Sequence, residues 1–268
     1  MKKKGIIGTL FLILISFVIV YSKSNEEKQN IIPKILLEKE EDIIILKGEK
    51  VKPVNYVIKN FYNNNLDISK KKLNFISIIL PEILMVKTDI ETQKEYLMKL
   101  EKKEVFTEKE KIYIKKLKIK YRSNSIKEII EKMVIPPISI ILAQGITESG
   151  WGTSRFFAEG NNVFGVWTYR EDLPRIKSLN GVRGINEVYL RKFNSIKDSI
   201  ENYFYNISVG NGYKNFREKI NQNKDKFEII KELKNYSEER EEYVKKIENI
   251  IKYNELEKYE KYQLINYN

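Results

Sequence analysis

Helix-start signals recur along this chain and set its class. Thr107 and Glu110 stand three apart just before Ile112, Ile114 and Leu117. Ser125 and Glu128 repeat the arrangement before Ile129, Ile130 and Met133. In such a box the hydroxyl accepts from a first-turn N–H and the glutamate reaches back, so two otherwise bare donors are satisfied. Ser195 precedes Ile196, Ile200, Tyr203, Phe204 and Ile207, and Asn235 with Glu238 precedes Tyr243, Ile247, Ile250 and Ile251. Both apolar sets recur at the spacing of one helix face. From about Lys70, Ile76, Ile78, Ile79 and Leu80 lead to Pro81, read as opening a helix that carries Ile83, Leu84 and Val86. Pro136 and Pro137 stop the helix of Ile129 and open the next. Between Thr168 and Arg191 the helical pattern lapses. Pro174, Gly181 and Gly184 break it, and Val188, Tyr189 and Leu190 read as a short strand, which predicts a small β-hairpin lobe. The fold class is mainly α, an α+β chain with a minor sheet.

The first residues read differently. Lys2, Lys3 and Lys4 precede an apolar run over residues 5–20, and Val20 and Ser22 suit a signal-peptidase site after Ser22. Residues 1–22 are therefore expected to be a signal peptide or, left uncut, an N-terminal membrane anchor through residues 5–20. The run is shorter than the ~20 residues that span a bilayer, which favours cleavage. Either way the rest is exported, to the periplasm, cell envelope or exterior, or held at the inner membrane. Residues 23–69 are expected to form a leader or linker with one β-prone run, Ile43, Ile44, Ile45 and Leu46. Residues 70–255 are the folded domain, and residues 256–268 a charged, Tyr-rich tail that frays.

Composition narrows the chemistry. The 268 residues contain no His and no Cys. That excludes disulfides, zinc held by Cys or His, haem on a His, and Ser-His-Asp or Cys-His nucleophiles. Acid–base work falls to Asp, Glu, Tyr or Lys. No dense carboxylate cluster argues for a metal, and no cofactor is expected. The net charge of +12 suits attraction to an anionic polymer. Lysines interleave with glutamates, as in Lys99-Leu-Glu-Lys-Lys-Glu104, so most form solvated helix faces. With an export signal, nucleic acid is not an expected partner, and the chain is read as a monomer.

The chemistry concentrates in residues 138–168. Ile138, Ile141, Leu142 and Ile146 mark a buried helix that ends on one carboxylate, Glu148, followed by Ser149, Gly150, Trp151 and Gly152. The helix dipole opposes negative charge at that end, and burial opposes it too. Both favour a retained proton, which a general acid needs for protonating a leaving oxygen. The glycines would open space for a substrate. Trp151, Phe164, Trp167 and Tyr169 could present flat faces to sugar rings, and Asn161 and Asn162 could bond hydroxyls and N-acetyl groups. The plainer readings are a Glu148 that is solvated or paired with an Arg such as Arg155, tryptophans in the core, and asparagines that only turn the chain.

The runs Leu142-Ala-Gln-Gly-Ile-Thr-Glu-Ser-Gly-Trp-Gly152 and Gly160-Asn-Asn-Val-Phe-Gly-Val-Trp167 resemble the bacterial glucosaminidases of glycoside hydrolase family seventy-three. Ser154-Arg-Phe-Phe-Ala-Glu-Gly-Asn-Asn and Tyr236-Ser-Glu-Glu-Arg-Glu-Glu-Tyr243 are similar to its Bax-type, FlgJ-like branch. The resemblance covers residues 70–255. It implies a lysozyme-like fold, with a helical lobe and a small β-hairpin lobe around a glycan cleft. It also implies hydrolysis of the β-1,4 bond after N-acetylglucosamine in peptidoglycan.

Glu148 matches the family's catalytic acid. The second acidic group lies on the β-lobe, where Glu187 is the candidate and Glu171 the reserve. The family also uses a cleft tyrosine. Tyr236 best matches its C-terminal motif, although the usual Gly-Tyr-Ala-Thr-Asp pattern is altered and its Asp is missing; Tyr203 is the other candidate. A Glu187 that activates water would invert the anomeric centre, whereas attack by the substrate's own N-acetyl oxygen would retain it. Two alternatives stay open: a lytic transglycosylase, which would leave anhydro sugar ends, and a non-catalytic cell-wall-binding protein.

Overall fold

The computed structural model describes residues 32–267, apart from 65, 180–186 and 237–238. The expected signal or anchor over residues 1–22 lies outside the described residues. The described chain opens with strands β1 (Lys34–Leu37), β2 (Lys50–Val51) and β3 (Asn55–Ile58). β1 and β3 pair in parallel, with Ile35 opposite Tyr56 and Leu37 opposite Ile58.

Helix α1 (Ile68–Glu101) starts at Asp67, whose carboxylate accepts from the Lys70 N–H. It runs unbroken through Pro81, where the sequence predicted a fresh start. A proline inside a helix costs about 3 kcal/mol. Ile78, Ile79, Leu80, Ile83 and Leu84 around it are all buried. Each such side chain contributes about 1.5–3 kcal/mol on burial, so packing outweighs the break.

α2 (Glu108–Tyr121) carries the complete box of Thr107 and Glu110. α3 (Ile126–Lys132) is capped by Ser125, but Glu128 accepts from the Asn124 N–H instead of closing the box on Ser125. Leu97 and Leu100 of α1, Leu117 and Tyr121 of α2, and Ile129 of α3 form a second core cluster. α4 (Ile138–Ser149) follows Pro137, and α5 (Arg155–Gly160) is capped by Ser154. β4 (Arg175–Lys177) and β5 (Tyr189–Arg191) pair antiparallel where the hairpin was expected, and Trp167 bridges to Leu190.

α6 (Ile196–Val209), α7 (Lys214–Asn221), α8 (Lys226–Lys231) and α9 (Glu241–Tyr253) complete the helical body. α9 starts later than the pattern suggested. Asn235 belongs to a 3-10 turn over Glu232–Asn235, and Arg240 precedes α9 with no side-chain cap. The buried stripe of Tyr243, Val244, Ile247 and Ile251 fixes where this helix is needed. After α9 come a 3-10 turn over Leu256–Lys261 and the strand β6 (Gln263–Leu264), which pairs in parallel with β2.

The mainly helical class with a minor sheet is what the pattern predicted. Two segments differ from expectation, because residues 32–267 form one compact unit. The segment expected as a linker places Leu37, Val51, Val54, Tyr56 and Ile58 in the main core beside Phe75 and Ile79 of α1. The segment expected as a frayed tail buries Leu256 and returns to the start of α4. There Glu260 accepts from the Ile138 N–H at 3.0 Å, the Ser139 N–H at 2.8 Å and the Ser139 hydroxyl at 2.7 Å. The physical reason lies in α4 itself. Its first turn follows prolines and has no side-chain cap of its own, so its bare N–H groups need an acceptor from elsewhere.

Candidate active site

Glu148 occupies the last turn of α4, and the chain leaves that helix through a left-handed bend. Gly150 (φ +59°), Trp151 (φ +60°) and Gly152 (φ +78°) make the bend. A Cβ on Gly152 would lie 2.9 Å from the Phe157 ring, so the bend requires glycine there. Glu148 is half-buried. Burial pushes its carboxyl up from the ordinary range; a hydrogen bond from Tyr243 and the charge of Lys246 pull it down by less, and Glu239 adds to the rise. Tyr243 Oη donates to Glu148 Oε1 at 3.2 Å. On the other side is Gly165 (φ +61°), where a Cβ would stand 3.6 Å from Glu148 Oε2. Arg155, the partner weighed for Glu148, is engaged elsewhere, with Glu159 and the Lys177 carbonyl.

A wall of tyrosines lies beside the carboxyl. Tyr243, buried on α9, stacks with Tyr236 at 5.2 Å between centroids, and Tyr213 meets Tyr236 at 6.2 Å. Burial, and then the charge of Glu148, hold the Tyr236 phenol well above its ordinary range, and the same two causes raise Tyr213. These phenols stay protonated and can donate. Behind them, Gln144 Nε2 donates to Tyr243 Oη at 3.2 Å, and Tyr203 Oη donates to Gln144 Oε1 at 2.7 Å. Gln144 and Glu148 are one turn apart on α4 and so share a face.

Several residues read as sugar contacts are built into the protein instead. Asn161 accepts from the Ile58 N–H at 2.7 Å and donates to the Phe193 carbonyl at 3.2 Å. Asn162 donates to the carbonyls of Val166 and Arg191 and accepts from the Val166 N–H. Both are buried, and their amides tie β3, the Gly165 loop and the β5 region together. Phe164 and Tyr203 are buried and stacked on each other at 4.4 Å, so neither offers a face to a sugar. These corrections share one cause: a short motif rich in polar and aromatic residues has to fold its own tight loop before it can meet a ligand.

The rest keep some exposure. Trp151 is half-buried, edge-on to Phe75 at 5.8 Å, with the Lys72 ammonium over its ring. Trp167 is half-buried at the hairpin edge. Tyr169 is exposed. Glu187 lies on the exposed side of the hairpin, bound by the Lys177 ammonium and by Tyr189 Oη at 3.4 Å. Its bond to Lys177 holds the carboxyl below the ordinary range, so it is ionised. Glu171 is exposed and pairs with Arg175 at 3.4 Å. The fold thus gathers Glu148, Tyr236 and Gly165, and sets Glu187 on the separate hairpin.

Two residues of this site were missed as such in the sequence. Tyr243 read as one more apolar position on the α9 stripe, and Gln144 stood inside the motif run of residues 142–152 with no role assigned to it. A signal was present in each case. A tyrosine on a buried stripe needs a partner for its hydroxyl, and a glutamine inside an apolar helix needs several.

A sequence model of the glucosaminidases, described as mannosyl-glycoprotein endo-beta-N-acetylglucosaminidase, matches residues 123–256, half of the chain. The chain belongs to the glucosaminidase family. That membership places it among the glycoside hydrolases, and the matched span contains Gln144, Glu148, Glu187, Tyr236 and Tyr243. Protein bax of Escherichia coli K12 is 26% identical over 188 residues, covering 65% of this chain. The chain spans 66% of that relative's length. Among solved structures, the catalytic domain of the autolysin Auto from Listeria monocytogenes is similar at a TM-score of 0.40 and 18% identity, over 63% of this chain and 96% of that one. A glycoside hydrolase domain of FlgJ from Salmonella typhimurium is similar at 0.35 and 22%, over 52% and 93%.

Proposed function

We propose that this glucosaminidase hydrolyses the β-1,4 bond after N-acetylglucosamine in peptidoglycan, with Glu148 as general acid. One observation carries the reading. The Glu148 carboxyl sits at the C-terminal end of a buried helix, and burial raises its pKa, which favours the protonated form that a general acid needs. That proton would pass to the glycosidic oxygen as the bond breaks through an oxocarbenium-like state. Family membership supports the sugar specificity. Glu187, ionised beside Lys177, is the candidate second group, to activate water or stabilise the cation; Glu171 is the reserve. If the two carboxyls face each other across ~6.5–9.5 Å with substrate bound, the product is inverted. If the substrate's N-acetyl oxygen attacks instead, the configuration is retained and Tyr236 is the candidate to orient that amide. Trp151 and Trp167 are the candidate sugar platforms. A net charge of +12 supports approach to an anionic wall polymer, and such a substrate places the enzyme in the cell envelope.

The test is digestion of purified peptidoglycan by the full chain beside Glu148→Gln and Glu187→Gln, with reduced fragments read by mass spectrometry. Fragments ending in reducible N-acetylglucosamine, lost by ~10²-fold or more with Glu148→Gln, are expected. Anhydromuramyl ends would move the chain to the lytic transglycosylases. Equal release by wild type and Glu148→Gln would remove Glu148 as the acid, and no release by any variant would favour a wall-binding role.

A further inference from the structure

Gln144 is fully buried within an otherwise apolar stretch of α4, and no step proposed above uses it. Its amide is held at both ends. Tyr203, itself buried and stacked on Phe164, donates its hydroxyl hydrogen to Gln144 Oε1 at 2.7 Å. Gln144 Nε2 donates to Tyr243 Oη at 3.2 Å, and Tyr243 Oη donates to Glu148 Oε1 at 3.2 Å. A phenol has one hydrogen to give. Because the amide N–H approaches the Tyr243 oxygen, that hydrogen is turned to the carboxyl. The hydrogens of this chain of bonds therefore all point towards Glu148 Oε1.

In a protonated carboxyl the carbonyl oxygen is the better acceptor, and the hydroxyl oxygen carries the proton. Oε1 takes the acceptor role here. Oε2 stands beside Gly165, which presents no side chain. We infer that Gln144, backed by Tyr203, is a positioning residue that fixes Tyr243 as donor to Oε1 and leaves Oε2 as the oxygen that carries and delivers the proton. This rests on Glu148 being the general acid. The other ionisable groups that act on Glu148, or that it acts on, are Lys246 of α9, Glu239 ahead of that helix, Tyr213 and Tyr236.

The test is a double-substitution cycle read on the pH dependence of kcat/KM for peptidoglycan hydrolysis by the full chain. A donor to the carboxylate favours its charged form, so losing the donor raises the pKa of the acid and moves the alkaline limb to higher pH. Tyr243→Phe should move that limb up by about one pH unit, the size of one hydrogen bond to an ionised group. Gln144→Met keeps the side-chain length and removes the amide. It should shift the limb in the same direction and lower kcat about tenfold, with KM near wild type, because Glu148 is misplaced while substrate contacts remain. In the Tyr243→Phe background Gln144→Met should shift the limb no further, since it acts through that hydroxyl. Tyr203→Phe keeps the ring and its stack, and should give a smaller shift of the same sign; it keeps the test decisive if Gln144→Met does not fold. The inference is overturned if Tyr203→Phe leaves the limb at its wild-type position, if a folded Gln144→Met does so, or if the Gln144→Met shift persists without the Tyr243 hydroxyl. Wild-type activity in Glu148→Gln would instead remove the acid itself, a separate failure that the same assay reads directly.

Discussion

At the scale of single residues, Glu148 was legible because its environment is written next to it. An apolar run ending in one carboxylate predicts a carboxyl at the C-terminal end of a buried helix, and Glu148 lies there, itself half-buried. Its neighbours were less legible. Gly165 follows Phe164 in the motif, yet only the folded loop brings its bare Cα to the carboxyl. A methyl group added there would face Glu148 Oε2 from 3.6 Å on a backbone at φ +61°. Gly165→Ala is therefore expected to cost about 1–2 kcal/mol of stability, the ordinary penalty for a left-handed alanine. It should lower kcat by more than that loss explains, because the methyl occupies the space beside the acid. Denaturant unfolding alongside kcat at saturating substrate separates the two effects, and an unchanged kcat would show that the space beside Oε2 is not used.

At the scale of elements, the decisive feature is how α4 is held. Its C-terminal end carries Glu148, and its N-terminal end is capped by Glu260, 122 positions from Ile138. Replacing a helix cap by alanine costs about 0.5–2 kcal/mol. Glu260→Ala is expected near the top of that range, since the carboxylate serves two backbone N–H groups and a hydroxyl. Thermal melts check this, and an unchanged Tm would mean that water replaces the cap without loss. Local caps were readable: Thr107 with Glu110 spans a single turn and forms as the pattern says. Pro81 misled for the opposite reason. Its intrinsic preference is to start or break a helix, and the burial that overrides it comes from distant partners.

At the scale of the whole molecule, the first strands, α1 and the last strand close over one core, and Glu82 of α1 lies inside it. Its Oε1 accepts from the Tyr56 N–H of β3, while Oε2 is buried without a hydrogen-bond partner. Burial raises its pKa well above the ordinary value of 4.5, with the backbone bond and Lys197 opposing. The folded value lies above the unfolded one, so the stabilising contribution is present below pH 4.5 and is lost as pH rises through the folded value. Glu82→Gln is expected to change stability little at pH 4 and to raise Tm increasingly towards pH 8. Melts across that range check it, and a gain that does not depend on pH would show that the carboxyl has the same pKa in the folded and unfolded states. Short-range sequence specified the helix starts at Thr107, Ser125 and Ser195, the place of the hairpin, the mainly helical class and the carboxyl at the end of α4. Each of these is specified by residues within a few positions of one another, where backbone geometry alone decides who meets whom. The tertiary structure decided the rest: strands in the expected linker, a tail that caps α4, asparagines turned inward, and Tyr203, Gln144 and Tyr243 lined up on Glu148. Those arrangements join residues dozens to more than a hundred positions apart, and only closure of the core brings them within hydrogen-bond reach.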